Sequence, residues 1–189
     1  PKKVLEEIDM LVQEFGMKEL IFTDDEMYVD RQRCIEIFEG IKARNYDLIW
    51  KNTNLAACTM DYDMIKLMKE SGCYQITISP ESGSQRVLRK IIHKPQKPND
   101  TKNVVRWCKE FGIEVHADFV IGFPGETWEE IRMTTNFAEE LDADSIKFAI
   151  ATPLPGTELH RTAVQMGAIP EDFDFYETEY LGFEHGMIE

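Results

Sequence analysis

Apolar and polar positions follow two periods along this chain, and the two periods take turns. The clearest switch lies in residues 113–127, IEVHADFVIGFPGET. Val115, Phe119, Val120 and Ile121 form a largely apolar run, as expected for a strand buried in a parallel sheet. Gly122, Pro124 and Gly125 break the run with a tight turn. Thr127 then stands where a helix N-cap belongs, and Glu130 is placed to complete a capping box. Trp128, Ile131, Thr134, Phe137 and Leu141 follow at helical spacing.

The same switch recurs on both sides of this stretch. Val4, Ile8, Leu11, Val12 and Phe15 mark one face of an opening amphipathic helix that Gly16 ends. Leu20, Ile21 and Phe22 predict a short strand running into Asp24, Asp25 and Glu26. Asp30 opens a helix with Cys34, Ile37, Phe38 and Ile41 inward. A strand from Leu48 ends near Asn52 and Asn54, and Asp61 opens a helix carrying Ile65, Leu67 and Met68 as far as Gly72. Tyr74, Ile76 and Ile78 predict a strand ending in Ser79, Pro80, Glu81, Ser82 and Gly83. A short basic helix follows, then a longer one with Val104, Val105, Trp107, Cys108 and Phe111 inward. Beyond the capped helix, residues 145–150 predict a fifth strand, a Pro- and Gly-bearing loop and a helix ending near Met166.

One helix followed by five strand–helix units implies an α/β fold with parallel strands. Five strands are too few to close an eight-stranded barrel, so the expectation is a partial TIM-like barrel over residues 1–166. Residues 167–189 read as an irregular acidic extension. A chain that opens on a helix also predicts a strand upstream of it, and an exposed apolar flank that would favour self-association. The polar strand tips should gather along one edge.

Composition narrows the chemistry. The 189 residues are 43% hydrophobic, enough for one domain with a sizeable core. A net charge of −14 argues against binding duplex nucleic acid or an anionic membrane. No apolar run reaches the length of a membrane span and the opening residues lack the shape of a signal peptide, which predicts a cytoplasmic protein. The local basic cluster Arg86, Arg89, Lys90, His93, Lys94 and Lys97 is either a solvated face or a source of cations for a carboxylate or phosphate. Cys34, Cys58, Cys73 and Cys108 are scattered without a CxxC pair, which argues for free thiols and against a locally encoded zinc or iron–sulfur site. His116 reads as a core histidine. Two carboxylates stand at the end of the 113–121 run, Asp118 inside it and Glu126 just past the glycines; Asp118 reads as a carboxylate buried within a strand, costly without a partner and therefore a functional candidate. Such an acidic edge suits either the hydroxyls and ammonium of a small ligand or a divalent cation.

Four segments then show a resemblance. IFTDDEMYVD at 21–30, PESGSQRVL at 80–88, FVIGFPGET at 119–127 and TPLPGTELH at 152–160 resemble, in order and interval, the radical S-adenosylmethionine (radical SAM) superfamily. The chain looks most like the group that often carries an upstream cobalamin-binding domain. The resemblance implies about five units of a (βα)6 core that reductively cleaves SAM at a [4Fe–4S] cluster to a 5′-deoxyadenosyl radical. It implies that Asp24, Asp25 and Glu26 bind the methionyl amino group. Glu81, with Ser82 beside it, and Asp118 would contact the ribose. His93, or Lys94 after it, would pair with the methionyl carboxylate. The backbone at Ile121, Gly122 and Phe123 would lie along the adenine, with the loop at Pro155 packed nearby. The family's CxxxCxxC motif does not occur between Pro1 and Glu189, so the cluster's ligands are expected outside this chain and the chain alone is expected to be inactive. The substrate is not indicated, and cobalamin is a possibility for the full protein. Two rival readings are another α/β-barrel enzyme with a carboxylate-bound divalent metal, and a non-catalytic domain of the same fold.

Overall fold

The computed structural model describes residues 1–25 and 27–170. Glu26 and nearly all of the expected extension, residues 171–189, lie outside the described residues. The elements are α1 (Lys2–Gln13), β1 (Glu19–Phe22), α2 (Arg31–Arg44), β2 (Ile49–Leu55), α3 (Tyr62–Glu70), β3 (Cys73–Glu81), α4 (Pro98–Phe111), β4 (Glu114–Ile121), α5 (Trp128–Leu141), β5 (Ser145–Ile150) and α6 (Glu158–Gln165). All neighbouring strands pair in parallel, in the order β1-β2-β3-β4-β5. The fold is therefore the expected partial barrel, with all five strands ending on one edge.

The helix starts follow from local chemistry. Asp30 accepts the Arg33 amide at 3.0 Å and Asp61 the Met64 amide at 2.9 Å, each satisfying a donor that the first helical turn leaves unpaired. Thr127 and Glu130 form the reciprocal capping box, with Glu130 N donating to Thr127 Oγ1 and Thr127 N to Glu130 Oε2. Pro98 stands at the first position of α4, where its missing N–H costs nothing.

The helices cover one face of the sheet. Trp50, Ile76, Ile78, Val115, Ala117 and Phe119 point into the layer made with Phe38, Ile65, Met68, Val104, Cys108 and Phe137. Phe119 stacks on Phe148 with ring centroids 5.3 Å apart and meets Phe137 edge-on at 5.9 Å. The alternate strand residues face the uncovered side, and on β4 these are Glu114, His116 and Asp118.

This arrangement corrects several expectations. The β4 run is not buried on both faces: it alternates, because only one face of the partial barrel carries helices. His116 is not a core histidine but a half-exposed residue of the open face, beside Gln75 at 3.0 Å and Glu114 at 2.7 Å. Asp118 is half-buried on that face, so the penalty for burying a lone charge does not apply to it. Phe15 lies past the end of α1 and is 62% exposed, and Trp128 opens α5 on its solvent side at 59%. The short basic helix is a single π turn at Val87–Ile91.

Candidate functional site

The carboxyl ends of the five strands form the rim. At the end of β1, Asp24 and Asp25 are exposed. The Asn54 side chain on β2 donates to the Asp25 carbonyl at 2.6 Å, and Asn52 Nδ2 donates to the Phe22 carbonyl at 3.3 Å. Asn52 is itself buried and receives the Asn54 amide at 3.1 Å. The two asparagines thus shape the first tip rather than offering themselves to a ligand.

At the end of β3, Glu81 occupies the left-handed backbone region with φ of 64°, an uncommon place for a residue with a side chain. Its carboxylate meets Lys94 Nζ at 2.5 Å, with the Glu81 side chain 15% exposed. Buried Gln96 supports this end from behind, donating to the Ser79 and Pro80 carbonyls, each at 2.8 Å. Ser82 is fully buried: its hydroxyl is 3.0 Å from Thr134 Oγ1 and accepts the Ser84 amide at 3.1 Å. Ser82 therefore holds the loop and is not available to a ligand, contrary to expectation. His93 also has positive φ, at 59°. It lines a groove of about 370 Å³ together with Lys90, Phe123, Pro124 and Leu159.

At the end of β4, Gly122 turns the chain with φ of 84°, which glycine adopts without steric cost. Glu126 folds back under this turn, and its Oε2 accepts the Gly122 amide at 2.7 Å and the Phe123 amide at 3.2 Å. Glu126 is buried, and its other oxygen has no partner among the described residues. Burial pushes its carboxyl above the usual range while the two amides pull it back. Asp118 lies one residue before Phe119, which is level with Glu81 in the sheet register, and faces Lys147 across the register with β5. Ile121 accepts the Ala151 amide at 2.8 Å, joining the fourth and fifth tips. Pro155 is exposed in the loop before α6.

The structure therefore places Asp24, Asp25, Glu81, Asp118, Ile121, Gly122, Phe123 and Pro155 along one edge, turns Ser82 inward and sets His93 in a groove shared with Phe123. Two contributors are not expected from the sequence, Lys94 as the partner of Glu81 and buried Gln96, and the inward bonds of Glu126 and Glu130 to the rim loops add to their expected places at the strand end and the helix cap. Only Glu126 and Glu130 carried a local signal, their spacing from the glycine turn and the helix cap. No group of three or more His, Cys, Asp or Glu suited to a metal ion occurs among the described residues. Cys34, Cys73 and Cys108 are buried, and burial raises all three thiols, Cys108 to about 12. A [4Fe–4S] cluster needs several cysteines gathered at one point, and the described residues bring no such group together, so these cysteines do not fit a cluster.

Comparison with known proteins agrees with this geometry. An uncharacterized methyltransferase of Pyrococcus horikoshii is 38% identical over 86% of this chain and 35% of its own length. The cytidylyl-2-hydroxyethylphosphonate methyltransferase of Streptomyces wedmorensis is 33% identical over 94% of this chain and 34% of its own. The chain thus spans about a third of these relatives. The radical SAM methyltransferase TsrM of Kitasatospora setae superposes with a TM-score of 0.76 at 21% identity, over 87% of this chain and 33% of that one, which shows a shared fold. The family model for the radical SAM superfamily matches residues 1–138, and with five parallel strands ending on one polar rim the chain belongs to that superfamily.

Proposed function

We propose that this chain is the SAM-binding part of an enzyme that reductively cleaves S-adenosylmethionine to a 5′-deoxyadenosyl radical. The observation that carries the reading is the meeting, on one rim, of Glu81 and Asp118 with the Gly122 turn, and of Lys94 with Glu81. In this reading Asp24 and Asp25 take the methionyl ammonium, and Glu81 and Asp118 accept the ribose hydroxyls. Lys94, not His93, supplies the cation for the methionyl carboxylate, because it already lies against the site. The turn at Ile121, Gly122 and Phe123 forms one wall for the adenine, with the Pro155 loop beside it. No residue of this chain is assigned to a [4Fe–4S] cluster, for the reason given by its cysteines.

The TsrM structure holds cobalamin and a [4Fe–4S] cluster, and two of the relatives are described as methyltransferases. These support a full protein that uses both groups and transfers a methyl group to a substrate of unstated class. No helix among the described residues is long and apolar enough to cross a membrane. With four free cysteines, a reducing cytoplasmic setting fits. Thiol titration of protein purified without reductant should find all four reactive once it is denatured.

The direct test is calorimetric titration of the chain with S-adenosylhomocysteine, which carries the nucleoside and amino acid but cannot be cleaved. Binding should occur, and Glu81→Gln and Asp118→Asn should each weaken it about tenfold, the loss of a charge-assisted hydrogen bond. Unchanged affinity in both variants would contradict the reading.

A further inference from the structure

We propose that Glu130 and Arg86 are positioning residues, a strap that holds the tip after β3 and the tip after β4 at the one separation the nucleoside needs. The proposal rests on the reading of the rim as a SAM site. Glu130 stands in the first turn of α5, beyond the β4 loop, and its carboxylate gathers donors from both tips. From the β3 side come Ser84 Oγ at 2.9 Å, Arg86 Nε at 2.6 Å and Arg86 Nη2 at 2.5 Å. From the β4 side come Thr127 N and Thr127 Oγ1, both at 3.0 Å. Arg86 Nη2 also reaches across to the Gly125 carbonyl at 2.8 Å.

One turn further along α5, Thr134 repeats the linkage. Its hydroxyl is 3.0 Å from Ser82 Oγ and accepts the Gly83 amide at 3.1 Å. Gly83 comes so close to α5 that a Cβ there would lie 2.5 Å from the Met133 carbonyl oxygen, so this approach admits only glycine. Glu81 immediately precedes this docked loop, and Gly122 and Phe123 immediately precede the strapped turn. The strap bonds hold residues 82–86 and the segment at Gly125 and Thr127, which directly follow the rim residues Glu81, Gly122 and Phe123.

Anchoring α5 to the sheet does not require so polar a device. Ile131, Phe137, Ala138 and Leu141 already bury its apolar face. A carboxylate offers about four lone-pair sites, so five donors saturate Glu130 and leave the linkage little freedom. The Arg86 guanidinium holds the Glu130 carboxyl down at about 2, and the linkage stays charged throughout the physiological range. Saturation of this kind, at the rim end of α5, suits positioning to a fraction of an ångström.

The test uses Arg86→Ala, Arg86→Lys and Ser84→Ala in this chain, with two readouts: hydrogen exchange of the free protein and calorimetric titration with S-adenosylhomocysteine. Arg86→Ala should speed exchange at Gly83 and Ser84 and equally at Gly122, Phe123 and Thr127 on the other tip, with α3 unchanged. It should weaken binding about tenfold, and Arg86→Lys should recover part of both effects. Exchange that rises only within residues 82–86 overturns the strap. So does unchanged affinity when both tips have loosened. A wild-type chain that binds no S-adenosylhomocysteine overturns the reading of the rim instead, and the exchange readout still decides the strap.

Discussion

The two halves of the rim are built differently. On the β3–β4 side, Ser82, Ser84, Glu126, Glu130 and Thr134 are all buried and are tied to one another or to the two loops. On the β1 side, Asp24 and Asp25 are exposed, and the tip is held mainly through main-chain carbonyls by Asn52, Asn54 and Thr53. The first half is preorganised, and the second has room to adjust. Preorganisation lowers the ordering cost of binding, so the nucleoside end of the ligand should be recognised more strictly than the amino-acid end. Among the described strands, β3 and β4 have neighbours on both sides and β1 pairs with β2.

The largest effect should come from removing the hub of the ordered half. Glu130→Ala leaves the Arg86 guanidinium and the Ser84 hydroxyl without their acceptor, and should destabilise the fold by about 2–3 kcal/mol in urea unfolding. An effect below that of a surface substitution would show that the two tips are held by packing alone. Acid should disable the same half more gradually. The carboxyl of Glu130 is lower folded than unfolded, so its stabilisation is complete above the unfolded value of about 4.3 and disappears as pH falls through about 2. Stability measured against pH in wild type and Glu130→Gln should therefore converge at the acid end and diverge toward neutrality.

A smaller effect is expected on the other side. Asn54→Ala frees the Asp25 carbonyl and should cost about 1 kcal/mol or less, with faster exchange near residues 22–25 and none near Gly122. Smallest of all should be Lys94→Met. The Lys94 side chain is 42% exposed, and a pair open to water contributes at most about 1 kcal/mol. Its consequence should appear in ligand affinity rather than in melting temperature. Stability losses of equal size in Asn54→Ala and Glu130→Ala would erase the distinction between the halves.

The layout of the chain was legible because its signals are local. Asp30, Asp61 and Thr127 cap helices through amides only three residues away, and the alternation of periods gives each strand and helix in turn. The resemblance of four motifs added the family, and the shared rim followed from parallel strands. The orientation of Asp118 and His116 was not legible, because Val120 and Ile121 lengthen the apolar run and hide the two-residue alternation before it. Nor did the chain disclose which face of an incomplete barrel lacks helices. The Arg86–Glu130 pair spans 44 positions in sequence, and nothing local to either residue names the other. Ser82 looked like a ligand residue for a related reason: its real partner, Thr134, is 52 positions away.

The central claim is that these tips form one binding surface for a nucleoside-linked amino acid. It is tested most directly by titrating isotopically labelled chain with S-adenosylhomocysteine and following backbone amide resonances. Shifts should concentrate at Asp24 and Asp25, around Glu81, at Asp118 and at Gly122 and Phe123, and should saturate with one affinity. Shifts confined to residues away from the rim, such as Ile35, Glu39 and Leu67 between α2 and α3, or no shifts at all, would contradict it.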